Sequence, residues 1–75
     1  MDIQHLIKMA NQIGAFFHAE PDRAAALDGI AGHIKRFWDP RMRKQIVEWV
    51  EQHAAEGLSE AVAEAIRRNH QQLAG

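Results

Sequence analysis

The chain reads as an all-α protein: a small four-helix domain with short connections. Two observations predict that class. Apolar residues recur at spacings of three and four along nearly all of the 75 residues, which is the signature of one buried helical face. Helix-start chemistry then punctuates the periodic segments, at Asp2, at Pro21, at Asp39 with Pro40, and at Ser59,. A third observation, the lack of any repeat, linker or low-complexity tract, makes residues 1–75 a single helical domain. Such a short chain buries roughly 60% of its unfolded surface, so its own core leaves a thin stability surplus, and docking elsewhere adds to it.

The first helix is predicted over about 2–18. Asp2 is its N-cap, and Ile3, Leu6, Ile7, Ala10, Ile13, Gly14 and Phe17 form its stripe. Pro21 disfavours helical geometry at Glu20 and suits the first position of the next helix, expected over about 21–38. Leu27, Ile30, Ile34 and Phe37 are its apolar line, extended by Trp38, with small residues around them. Phe37 is assigned to the core, and Trp38 is balanced between core and interface. Interior glycines cost roughly 1 kcal/mol each against Ala, so Gly14, Gly29 and Gly32 call for close packing or contact in return. The third helix, about 40–56, uses Met42, Ile46, Trp49, Val50 and His53, with Gly57 at its left-handed end. The fourth, about 60–72, follows the Ser59 cap and carries Val62, Ala65, Ile66, Asn69 and Leu73 on a thinner stripe. Fraying is expected from about Gln71.

Composition narrows the function classes. Of the 47% hydrophobic residues, 13 are Ala, which leaves enough larger side chains for one modest core. There is no Cys, which excludes disulfide frameworks and thiolate metal sites. No apolar run approaches the length of a membrane span and nothing resembles a signal peptide, so a cytoplasmic protein without a membrane partner is expected. A net charge of −1 gives no overall attraction to nucleic acid.

Catalytic constellations are scarce. The carboxylates Glu48, Glu51, Glu56, Glu60 and Glu64 fall on predicted solvent faces, with Lys44 and Glu48 at pairing distance along one helix,. His5, His18, His33, His53 and His70 never share the three- or four-residue spacing that sets two metal ligands on one turn,. Ser59 is the one serine, and capping explains it better than nucleophilic chemistry. No catalytic residue and no metal ligand is assigned.

The residues that stand out are Arg36, Phe37, Trp38, Asp39, Pro40, Arg41, Met42 and Arg43. Lys35, Arg36, Arg41, Arg43 and Lys44 supply five of the nine basic residues, and Asp39 is their one acidic neighbour. Clustered like charges repel, and an acidic surface or an anion would neutralise them. Trp and Arg together are also the residues in which interface hot spots are enriched. The partner-binding candidates are therefore Arg36, Trp38, Asp39, Arg41, Met42 and Arg43, with Asn11 and Gln12 as a second polar contact. Two other classes stay open. One is a helix-turn-helix-like nucleic-acid module built across the Asp39-Pro40 turn, weakened by the acidic Glu48, Glu51 and Glu56 beyond it. The other is a self-associating helical protein, for which a homodimer is expected in isolation.

These residues also resemble a known family, the delta subunit of the NAD-dependent, molybdenum-containing formate dehydrogenases. The likeness rests on Met9-Ala10-Asn11-Gln12-Ile13-Gly14 followed by Phe16-Phe17, on Pro21-Asp22, on Ile30-Ala31, and on the block from His33 to Arg43. It covers almost the whole chain. The resemblance implies a non-catalytic accessory subunit of a cytoplasmic formate dehydrogenase complex. Its partners would be the large and other subunits, and its role to stabilise assembly or assist molybdenum-cofactor maturation. The complex so implied carries molybdopterin, iron–sulfur clusters, FMN and NAD, none of them bound by this chain.

Overall fold

Each of the four longer helices begins where a short polar side chain can take up its free N–H groups. In the computed structural model, which describes residues 2–74, Asp2 accepts from the Gln4 N–H and opens α1 (Ile3–Phe16). Asp22 accepts from the Ala24 N–H and opens α2 (Arg23–Phe37). Asp39 accepts from the Met42 N–H and opens α3 (Pro40–Gln52), with Pro40 at its first position. Ser59 accepts from the Val62 N–H and opens α4 (Glu60–Arg68). Each cap satisfies one of the donors that a helix start leaves without an intrahelical partner. A short α5 (His70–Ala74) completes the order, and a 3-10 turn over Phe17–Ala19 closes α1.

One cluster of buried side chains draws on all five helices. Leu6, Ile7 and Ala10 come from α1, and Leu27, Ile30 and Ile34 from α2 with Trp38 just beyond it. Ile46, Val47 and Val50 come from α3, Val62, Ala63, Ala65 and Ile66 from α4, and Leu73 from α5. Two glycines let helices approach closely enough to seal it. A Cβ on Gly14 would lie 2.5 Å from Val62 Cγ2, and one on Gly29 would run into the Phe17 ring. Both approaches are closer than van der Waals contact, so the helical cost of these glycines is offset by packing. Across α1 and the α3–α4 connection, the Asn11 side chain donates to the Gly57 carbonyl and accepts from the Ser59 N–H.

The structure corrects several boundaries. Helix α2 starts at Arg23 and not at Pro21, because the Asp22 side chain supplies the better cap. Helix α3 ends at Gln52, four residues earlier than the expected Glu56, since Ala54 and Ala55 take left-handed φ values of 53° and 58°. Gly57 is left-handed too, at φ 84°, but it ends the connection instead of the helix. His53 is exposed and stacks on Trp49, ring centroids 4.1 Å apart, while the Trp49 indole N–H donates to the Glu56 carbonyl. The fourth predicted helix is broken at Asn69 into α4 and α5. There the Asn69 side chain donates back to the Ala65 carbonyl. The break re-aims the chain so that Leu73 is 1% exposed, so fraying from Gln71 is not seen at that position.

Two stability measurements test this account. Leu73→Ala should cost about 2–5 kcal/mol and lower the thermal midpoint by about 10 °C or more, as for any large core truncation in so small a protein; a frayed terminus would leave the midpoint unchanged. Ala54→Gly should raise stability by roughly 0.5–1 kcal/mol, because glycine carries no Cβ penalty in the left-handed region. Urea unfolding of the two variants reads both effects.

Candidate functional site

Adjacent residues on a helix point about 100° apart, so Phe37 and Trp38 cannot both face the core. Trp38 lies eleven residues after Leu27, close to three full turns, and therefore stays in line with it. Accordingly Trp38 is 5% exposed and Phe37 is 66% exposed. The sequence-based assignment of Phe37 to the core is overturned, and the open choice for Trp38 resolves to core. Trp38 adopts an extended backbone, with its N–H still donating to the Ile34 carbonyl at 3.0 Å. Asp39 then caps α3 and the chain turns into it.

Burial also divides the basic cluster. Arg43 is 8% exposed and its Nη1 donates to the Lys35 carbonyl at 3.2 Å, near the end of α2. A guanidinium at that place satisfies a carbonyl that the helix leaves free and favours the negative end of its dipole. Its Nε is buried with no hydrogen-bond partner among the described residues. Lys35 reaches the other way and donates to the Gln72 carbonyl at 2.8 Å, tying α2 to α5. Arg36, Arg41 and Lys44 are exposed, and none of them meets a carboxylate among the described residues. Met42 is half-buried and packs on the core.

The corner thus brings Arg36, Phe37 and Arg41 to the surface over a base made of Trp38, Arg43 and Met42. Asp39 is held in its cap. Asn11 is used internally, in its bridge to Gly57 and Ser59, while Gln12 is exposed on α1, apart from the corner in sequence. The paired surface charges lie elsewhere: Arg23 with Glu60 links the starts of α2 and α4, and Arg68 pairs with Glu64, while the His70 imidazole contacts the Glu51 carboxylate. Sequence reasoning weighed Phe16 with the aromatics more often found in a core, but it is 78% exposed. The signal was available, since Phe16 falls off the line of Ile3, Leu6, Ala10, Ile13 and Phe17.

Comparison with known families decides what kind of chain presents such a corner. Residues 5–66 match the family model of the NADH-dependent formate dehydrogenase delta subunit, FdsD, over more than four fifths of the sequence. The chain belongs to this delta-subunit family. No curated protein and no solved structure matches it. The matched span holds nearly all of α1 and α4, the whole of α2 and α3, and the entire corner. A delta subunit is part of a formate dehydrogenase complex, so the other subunits of that complex are its partners. Among the described residues, no three His, Asp or Glu side chains gather as a metal site, and none of the helices is long and apolar enough to cross a membrane. The chain has no Cys, so its residues do not fit an iron–sulfur cluster, whose usual ligands are thiolates.

The burial contrast at the corner gives a direct test. Trp38→Ala should cost about 3–5 kcal/mol, a large part of the stability of a small domain, whereas Phe37→Ala should stay within about 0.5 kcal/mol, as expected of an exposed position. Equal effects in thermal melts would contradict the assignment of Trp38 inside and Phe37 outside.

Proposed function

We propose that the chain is a non-catalytic accessory subunit that binds the large subunits of its formate dehydrogenase and stabilises the assembled complex, or holds the catalytic chain in the conformation that accepts its molybdenum cofactor. The observation that carries this reading is the delta-subunit family match through the corner. The corner's arrangement supports it. Exposed arginines without a carboxylate partner among the described residues stand beside an exposed aromatic ring, and Arg can form paired charge-assisted hydrogen bonds to a carboxylate.

On this reading Arg36 and Arg41 are the contact residues, and Met42 lines the contact from below. Trp38, Asp39 and Arg43 position them: Trp38 anchors the turn, Asp39 starts α3, and Arg43 fastens the end of α2. Asn11 holds the α3–α4 connection to α1, leaving Gln12 as the polar group free to meet a second part of the partner. A subunit that binds only one conformation of a catalytic chain shifts the population toward that conformation by its differential affinity. The same contact therefore serves assembly and maturation alike.

The test is co-purification of a tagged chain from its native extract, with formate-dependent NAD reduction assayed in the eluate. Recovery of the large dehydrogenase chains with activity is expected. The Arg36→Ala, Arg41→Ala double variant should recover about ten-fold less or lower, in line with the loss of two interface arginines, while its melting temperature stays at the parent value. Full retention by the folded double variant would sink the corner as the contact.

A further inference from the structure

We propose that Arg43 recognises the partner as well as bracing α2: the Nε–Nη2 edge of its guanidinium takes a carboxylate side chain of a catalytic subunit. The inference rests on the accessory-subunit reading and deepens it by naming the group that docks and the residue that receives it.

Arg43 stands where the helical pattern calls for an apolar side chain. The buried residues of α3 are Arg43, Ile46, Val47 and Val50, the spacing of one core-facing stripe. At 8% exposed, Arg43 is the one buried polar or charged side chain among the described residues. A guanidinium cannot shed its proton to ease that burial, and a buried cation without a counter-charge is costly. The bond from Nη1 to the Lys35 carbonyl and the negative end of the α2 dipole offset part of the cost. Neither supplies a full negative charge.

The unused groups share one edge. Nε is buried without a hydrogen-bond partner. Nη2 has none either among the described residues, yet it is not enclosed, so the guanidinium meets solvent there. In an arginine Nη1 lies on the Cδ side, which sets Nε–H and Nη2 together on the opposite edge. A carboxylate can make two parallel hydrogen bonds to such an edge. Seated there, it would meet Nη2 at the surface and, with a small shift of the side chain, satisfy Nε.

No carboxylate of the domain takes this place among the described residues. Asp39, four residues before Arg43, is turned to the Met42 N–H and forms no ion pair with it. Glu48 is about 140° around α3 from Arg43, and Glu51 contacts His70. Glu60 and Glu64 pair with Arg23 and Arg68. Helices α1 and α5 carry no Asp or Glu, and Asp28 of α2 precedes Lys35 by about two turns,. Within residues 35–44 the chain instead sets Lys35, Arg36, Arg41 and Lys44 beside Arg43, with Asp39 as the one carboxylate. That excess of cations complements an acidic protein surface and would repel the same corner of a second copy.

The test uses the full chain with the catalytic subunits of its formate dehydrogenase. It compares the parent with Arg43→Met, which continues the apolar stripe, and with Arg43→Lys, which keeps the charge without the paired edge. Retention of catalytic chains is measured at a temperature where thermal melts show the variants folded. Arg43→Met should melt at or above the parent, as expected when an uncompensated buried ion gives way to an apolar side chain. It should nonetheless retain about ten-fold less catalytic chain or lower, as loss of one partner of a buried charge pair predicts. Arg43→Lys should retain about three-fold less or lower, because an ammonium cannot make the two parallel bonds. Retention equal to the parent in Arg43→Met would overturn the proposal and leave Arg43 a brace, with the delta-subunit reading intact. Full retention by Arg43→Lys would overturn it as well, since the paired edge would then be idle. Inorganic phosphate that raises the melting temperature of the parent and not of Arg43→Met, with retention equal in both, would give the edge to a free anion and overturn the proposal. A parent that retains no catalytic chain removes the delta-subunit reading and this inference with it. Should Arg43→Met fail to fold, Arg43→Lys decides alone.

Discussion

Trp38 and Phe37 compete for one place in the core, and the outcome organises the rest of the molecule. With Trp38 inside, the end of α2 is anchored, the chain turns at Asp39, and α3 departs along the core. The neighbouring ring is then displaced by about a quarter turn or more and emerges beside Arg36. Surface chemistry at the corner is in this sense a by-product of packing. The residue that anchors is not the residue that shows.

Polar side chains add links between helices that already share the apolar cluster. Asn11 bridges α1 to the α3–α4 connection with both ends of its amide, and Trp49 holds the same connection through the Glu56 carbonyl. That connection contains two left-handed alanines, a conformation that costs roughly 1–2 kcal/mol per residue away from glycine. It is tolerated where the surroundings over-determine the backbone. Ala55, which is buried in the core cluster, shows what the unfavourable conformation achieves: it turns an apolar methyl group inward between two helices.

Much of the fold was legible in the residues. The stripe of α1 and the caps at Asp2, Asp39 and Ser59 are local chemistry, and local chemistry can be read from spacing. What escaped depends on neighbours distant in the chain. Arg43 reads as one more partner-binding cation until the carbonyl of Lys35 is placed against it. Leu73 reads as a frayed end until the break at Asn69 swings it into the core. Within the candidate site the position of the corner and the exposure of Arg36 and Arg41 followed from the sequence. The division between Phe37 and Trp38 followed as well, had the eleven-residue step from Leu27 been preferred to the three-residue step from Ile34. Nothing in spacing alone revealed that the amide of Asn11 is spent inside the protein.

The bonds from Arg43 to Lys35 and from Lys35 to Gln72 have a consequence for recognition. They fasten the end of α2 to α3 and α5, so the backbone that carries the exposed arginines is immobilised when the domain folds. A partner docking on the corner, as proposed, meets a preorganised surface and needs to order only side chains, at about 0.5–1.5 kcal/mol for each long one. The converse also holds. Since the proposed surface exists only in the folded ensemble, any loss of stability at these cross-links would lower apparent affinity by the fraction of molecules unfolded, and a temperature that loosens the domain would weaken its hold on a partner.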